Sequence, residues 1–435
     1  LFDGGLFPAL SADPALASLQ TAHFLHRFVA AVVGFLLLGA TLVLWRAVRR
    51  GDDAVPGGQT VLALVATAAA LYAVQVIVGA LQITTSLAAW AVALHLALGA
   101  LIWALLVGAT FVSYFAARTS ETGRPIDRPT SGEPSATVPP EPQSTLRERV
   151  SAYVALTKPR IIELLLVTTV PAMFLAARGV PDLWLVLWTL VGGTMAAGAA
   201  NAINCYIDRD IDLLMTRTRR RPLPAHTVSE ENALIFGLVL GVVAFGVMAL
   251  FTNLVAAFLT LLAMAFYVVV YTMLLKRSTP QNIVLGGAAG ALPPVIGWSA
   301  VTGDITLPSL LLFAIVFYWT PPHFWALSLR LRRDYAAAGV PMLPVTHGVP
   351  ETARHIALYT VLMVCLTLVF FAVARMGLLF LAGALVLGAL FLMQAYLMWR
   401  EGTDARAVRL YKYSITYLTA LFGLIILDVF VFIAL

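Results

Sequence analysis

The sequence predicts an all-α polytopic membrane protein of about 12 transmembrane helices, and three observations carry that expectation. Of the 435 residues, 60% are hydrophobic and only 11% charged, well below the roughly 25% charge of a soluble domain. Apolar runs of about 20 residues, the length that crosses a bilayer core, recur along the chain. Basic residues gather in alternate loops between those runs, as the positive-inside rule requires. The net charge of +6 therefore reflects topology and gives no ground for a nucleic-acid partner. Two cysteines, Cys205 and Cys365, exclude a disulfide scaffold or a cysteine-rich metal site. Residue 1 is Leu and no signal peptide precedes the first span, so a truncated start is expected.

Three spans come first, near 22–45, 60–83 and 88–116. Residues 118–150 follow, with Pro125, Pro129, Pro134, Pro139, Pro140 and Pro142 among Ser, Thr and Glu. Such a composition buries too little apolar surface to fold, which predicts a flexible linker. Nine further spans are expected near 160–178, 183–203, 232–251, 255–275, 282–301, 308–328, 355–374, 378–399 and 414–434. The chain thus reads as a membrane module over 1–117, a cytoplasmic linker over 118–150 and a larger module over 151–435. One orientation places every basic loop in the cytoplasm.

In the first module, His26 and His95 sit within about two turns of the outer ends of their helices. They are placed either to ligate one haem iron from opposite faces or to hydrogen-bond inside a helical bundle. Gln75 and Gln82 are further polar residues there.

The second module carries NCYIDRDID, Asn204 to Asp212. Asn204, Asp208 and Asp212 recur every four residues and share one helical face, with Asp210 on the other side. Two carboxylates and an amide are hard oxygen ligands of the kind that suits Mg²⁺ carrying a diphosphate. Behind them, Arg217, Arg219, Arg220 and Arg221 offer donors to phosphate oxygens, or simply mark a cytoplasmic loop. Lys158 and Arg160 in TKPRI and the pair Lys276–Arg277 carry the same two readings, phosphate contact or snorkelling at a span end. Paired prolines at 293–294 and 321–322 fall inside apolar spans, where a broken helix is tolerated if it lines a cavity. Trp298, His323, Phe324 and Trp325 are candidates for such a lining, with Tyr267 and Tyr271 near the Asp run. Asp334, among Arg330, Arg332 and Arg333, is a second acidic point for the same metal diphosphate.

Taken together, the Asn204/Asp208/Asp212 run, its basic loop and the later Asp334 resemble the UbiA superfamily of intramembrane prenyltransferases. Within it, NCYIDRDID, MTRTRRRPLP, LKRSTPQNIVLGG, PPHFWAL and DYAAAGVPMLPV resemble the protohaem IX farnesyltransferases, over about 147–435. The resemblance implies farnesyl transfer from farnesyl diphosphate to haem B, giving haem O, with Mg²⁺ held by Asn204, Asp208, Asp212 and Asp334. The candidate diphosphate ligands are Lys276, Arg277, Arg217 and Arg219, the catalytic candidates Asp208, Asp212 and Lys276, and the pocket candidates Tyr271, His323 and Trp325. The superfamily's second acidic motif is a pair of Asp residues, and here only Asp334 stands in it.

Residues 1–117, with AHFLHRFVA and ALHLALGAL, resemble the carboxy-terminal half of haem A synthase, less one span. That implies a b-type haem on His26 and His95. A lipid bilayer is the expected setting, with the chain in the plasma membrane and the prenyl-transfer site facing the cytoplasm. A haem A synthase or cytochrome oxidase assembly factors are the expected protein partners. The competing readings are prenyl transfer to a quinone precursor or chlorophyllide ring, a non-catalytic haem carrier, and a transporter.

Overall fold

The computed structural model describes residues 14–50, 58–84 and 145–432, together with 91, 94, 95, 98, 99, 101, 102, 105, 106, 109, 110, 112 and 113. Every regular element among them is helical. The chain divides into two compact units, Leu1–Pro139 and Pro140–Leu435.

In the first unit, α1 (Pro14–Arg49) and α2 (Gly58–Thr84) pack together. The Tyr72 hydroxyl donates to Ala30 O at 2.5 Å. Val61 and Val65 of α2 form a small core with Ala109 from the third expected span, much of which lies outside the described residues. The expected linker also lies outside them over 118–144.

The described part of the second unit begins at Thr145. Thr145 and Glu148 form a reciprocal capping box, at 3.3 and 2.8 Å, that starts α3 (Leu146–Leu156). Residues 146–150, expected at the end of the linker, are helical here because the cap satisfies the first turn. The order continues as α4 (Pro159–Ala177), α5 (Leu183–Ile207), α6 (Arg209–Leu214), α7 (Glu230–Phe251) and α8 (Leu254–Ala265). A π-helical segment, Phe266–Leu275, prolongs α8. Then come α9 (Asn282–Ala291), α10 (Pro293–Thr302), α11 (Leu307–Arg330), α12 (Arg332–Ala337), α13 (Leu343–Thr346), α14 (Gly348–Val373), α15 (Leu378–Glu401) and α16 (Asp404–Phe430). Local chemistry sets many of these starts. Asp182, Ser229, Asn253 and Thr403 each accept a backbone N–H from the first turn of α5, α7, α8 and α16.

Ten helical spans among the described residues are long and apolar enough to cross a membrane. The fourth expected span is α4, whose apolar part is the shorter Leu166–Ala177. Side chains such as Ile235, Val239 and Val243 of α7 are exposed, and their spacing makes one apolar stripe toward lipid. Helices α5 and α7 approach closely because their contact is glycine-lined. A Cβ on Gly237 would stand 2.7 Å from Ile203 Cγ1, so only glycine admits that approach.

The two proline pairs behave differently. Pro293 and Pro294 separate α9 from α10 at Leu292, as expected of residues that lack an N–H. Pro321 and Pro322 lie inside the continuous helix α11, where the packed neighbours α14 and α16 support the backbone. A core of Trp325, Phe370, Phe380, Phe391, Tyr417 and Phe422 holds α11 and α14–α16 together. At the far end of that bundle, the buried Asp428 of α16 accepts Gly377 N at 2.6 Å and Phe380 N at 3.0 Å. It thereby caps the start of α15 from a distant helix.

Candidate active site

The acidic residues come together because the helical phase survives a joint. Helix α5 ends at Asp208 and α6 begins at Arg209. Across that joint Asp208 N still bonds Asn204 O (2.9 Å) and Asp212 N bonds Asp208 O (2.8 Å). Asn204, Asp208 and Asp212 therefore share a face, and all three are buried, the two carboxylates completely.

Burial of two carboxylates demands partners. Asp208 Oδ2 accepts from Asn204 Nδ2 at 2.8 Å and is ion-paired with Lys276 Nζ. Asp212 Oδ2 accepts from Arg221 Nη1 at 2.7 Å. Asn204 receives Lys158 Nζ on its Oδ1 at 2.5 Å, and its amide also donates to Thr272 Oγ1 at 3.1 Å. Thr272 and the helix end that leads to Lys276 belong to the π-helical segment, a form that concentrates at functional sites. Arg277 forks both oxygens of Asp210 at 2.6 Å, and its Nη2 lies 3.6 Å from Asp208 Oδ1.

Burial pushes the Lys158 ammonium below its ordinary value, with neighbouring charges adding smaller effects of both signs. For Asp210, burial works against ionisation as the largest single effect, but the Arg277 hydrogen bonds, the Arg277 charge and backbone N–H groups together outweigh it and hold the carboxyl below the usual range.

One oxygen on each buried carboxylate, Asp208 Oδ1 and Asp212 Oδ1, makes no hydrogen bond among the described residues. A buried acceptor of that kind is met by a water or an ion, and hard oxygens suit Mg²⁺. Among the described residues no three His, Cys, Asp or Glu side chains cluster closely enough to hold a metal unaided. The donor set thus fits an ion that takes its remaining ligands from phosphate and water, which is how Mg²⁺ is held.

One turn up α5 from Asn204, Asn201 lines an apolar cavity of about 310 Å³. Tyr267 donates to Asn201 at 3.4 Å and shares the lining with Tyr271, Thr320 and His323. A charged oxygen-and-cation cluster adjoining an apolar cavity is the arrangement an apolar chain with an anionic head requires.

The UbiA prenyltransferase family pattern matches residues 165–421. The chain belongs to that family. It is 54% identical over 280 residues to a protein named protoheme IX farnesyltransferase from Frankia alni, covering 64% of this chain and 97% of that one. A protein of the same name from Roseiflexus castenholzii is 42% identical over 419 residues, covering 94% of this chain and 75% of the relative. Another relative of that name is longer, and the chain spans half of it. Among solved structures, one described for digeranylgeranylglyceryl phosphate synthase shares the fold, with a TM-score of 0.56 at 18% identity over 65% of this chain and 99% of that one.

Within this UbiA-family fold the remaining candidate residues are unevenly placed. Asp334 is half-buried in the first turn of α12, and its neighbour Tyr335 packs in one cluster with Ile211 and Met215, which flank Asp212. The two acidic segments therefore pack together through apolar side chains, without Asp334 joining Asp208 and Asp212 in one cluster of three carboxylates. Tyr271 and His323 are on the cavity wall, whereas Trp325 is fully buried against His355 and Tyr359 and is not part of the lining. Trp319, one turn before His323, takes the place expected of Trp325. Arg217 and Arg219 are exposed, and Arg221 is the arginine of the loop that reaches the acids. The structure adds Asn201 and Thr272 to the site, and among the cations with two readings it brings Lys158 and Arg221 to the acidic face. Of these, Asn201 was accessible to the helical period, three residues before Asn204.

Proposed function

We propose that the chain transfers a farnesyl group from farnesyl diphosphate to haem B, giving haem O and diphosphate. The observation that carries this reading is the pair of buried carboxylates, each with an unbonded oxygen, ringed by four cations beside an apolar cavity. The name of the Frankia alni relative, protoheme IX farnesyltransferase, supports the acceptor and donor. Asp208 and Asp212, joined by Asn204 and Asp334, would hold Mg²⁺, which when bound supplies charge for the departing diphosphate. Lys158, Arg221, Lys276 and Arg277 donate to phosphate oxygens as negative charge builds there. The cavity walls keep water from the allylic chain. The haem vinyl group then bonds to the farnesyl carbon as its bond to diphosphate breaks, and water adds to the resulting cation with loss of a proton. Purified protein incubated with haem B, farnesyl diphosphate and Mg²⁺ should yield haem O by mass spectrometry. Unchanged haem B would refute the reading.

The amino-terminal unit, read as a partial haem A synthase, is proposed to hold a b-type haem between His26 and His95. Their ring centres are 6.4 Å apart with planes at 59°. With metal–imidazole bonds of about 2 Å, two rings on one iron stand about 6 Å apart, centre to centre. His95 Nδ1 lies 3.2 Å from Gln75 O, the carbonyl that would fix the ring and leave Nε2 for the iron. A low-spin haem spectrum that His95→Ala abolishes is the expected result. The chain is placed by this reading in the plasma membrane with its transfer site toward the cytoplasm.

A further inference from the structure

On the cavity wall, one imidazole is fixed on three sides. His323 of α11 stacks on Trp319 (centroids 4.2 Å, 22°) and tilts against Tyr411 of α16 at 4.9 Å. Its Nδ1 is 2.7 Å from Ser414 Oγ. The single Ser414 hydroxyl proton is already given to Tyr411 O at 2.7 Å. With that proton on Tyr411 O, Ser414 accepts from Nδ1–H, the tautomer that satisfies both contacts. Nε2 is left with its lone pair, and it makes no hydrogen bond among the described residues. An imidazole with one N–H tied down and the other nitrogen bare is in the state of a metal ligand. The wall around it, with Val316, Trp319, Thr320 and Phe324, offers this lone pair no charged partner.

We infer that His323 Nε2 binds the iron of the porphyrin acceptor during prenyl transfer. The inference rests on the reading that haem is that acceptor. The site then sorts two metals by ligand chemistry. Oxygens of the Asp cluster serve a hard divalent ion, and a neutral nitrogen in an apolar wall serves iron. Held by its centre and pinned against rotation of the ligand ring, the porphyrin leaves its edge groups free inside the cavity. Trp319 and Tyr411 set the plane of the imidazole, and Ser414 sets its rotation.

The test uses the full chain with haem B and with iron-free protoporphyrin IX as acceptors. The parent should use haem B with a KM lower by about tenfold or more than that for the iron-free ring. Ser414→Ala, which unties Nδ1, should raise KM for haem by about tenfold. His323→Ala should erase the preference for iron, and added imidazole should restore it, which also shows that the variant folds. Difference spectra of parent against His323→Ala on adding haem B cancel any haem bound elsewhere and should show a lost iron–nitrogen ligand. An unchanged spectrum and an unchanged KM ratio in His323→Ala would overturn the inference while haem O formation by the parent still stood. Loss of hydration alone, with iron ligation intact, would overturn it equally. A parent that makes no haem O would fault the proposed function instead.

Discussion

Arg277 grips Asp210 through two hydrogen bonds of 2.6 Å while its guanidinium stands 3.6 Å from the buried Asp208. The exposed acid thus steers the cation that faces the buried one. Asp210 points away from the triad, as the helical spacing requires, yet it is coupled to it.

Substitutions should separate these roles. Asp208→Ala and Asp212→Ala should each lower prenyl transfer by about a thousandfold, the scale seen when a preorganised electrostatic group is removed. Asp210→Ala should lower it by about fivefold or less, since its partly exposed pair is worth at most about 1 kcal/mol. Initial rates with labelled farnesyl diphosphate would measure both. Equal losses at Asp208 and Asp210 would contradict the assignment.

Lys158 gives a pH signature. Burial lowers its folded value, so the charged form is lost as pH rises through a value below the ordinary lysine figure of about 10.4. If the ammonium binds diphosphate, kcat/KM for farnesyl diphosphate should fall on that alkaline limb. Lys158→Arg should keep its charge and hold its rate to higher pH. For stability the sign is opposite. The unfolded chain binds the proton more tightly, so raising the pH relieves the cost of burying the ammonium.

How much of this was legible in the sequence depends on distance along the chain. The Asn204, Asp208 and Asp212 face follows from helical spacing alone, and the α5–α6 joint preserves it. Their cations do not follow from spacing. Lys158 and Lys276 approach from 46 and 68 residues away, a matter of helix packing. The basic loop has no period, so nothing in it separated Arg221 from Arg217 and Arg219. Trp325 was misplaced for a different reason. Treating the second proline pair as a break hid the continuity of α11, and on a continuous helix Trp319, four residues before His323, shares its face.

Gly286 sets the cavity wall, since a Cβ there would overlap the Tyr271 ring. Gly286→Ala should destabilise the protein by about 1–3 kcal/mol through overpacking. Gly246 has nothing within 4 Å of such a Cβ. Gly246→Ala should be neutral or stabilising by up to about 1 kcal/mol, because alanine suits a helix better. Thermal unfolding in detergent compares the two.

Topology is tested by labelling. With Cys205 and Cys365 replaced by Ser, single cysteines at Ser135 and Arg220 should react with an impermeant reagent only from the cytoplasmic side. Reaction of either from outside would break the orientation drawn from the basic loops.

Asp428 has a consequence for how the protein is made. The chain leaves the ribosome amino-terminus first, so α15 emerges ahead of the helix that caps it. Until α16 arrives, the amides of Gly377 and Phe380, 51 and 48 residues earlier, lack the carboxylate they bond in the finished fold. The last span is therefore a closing piece as well as a wall. A chain stopped short of Asp428 leaves those two amides without the carboxylate that caps α15.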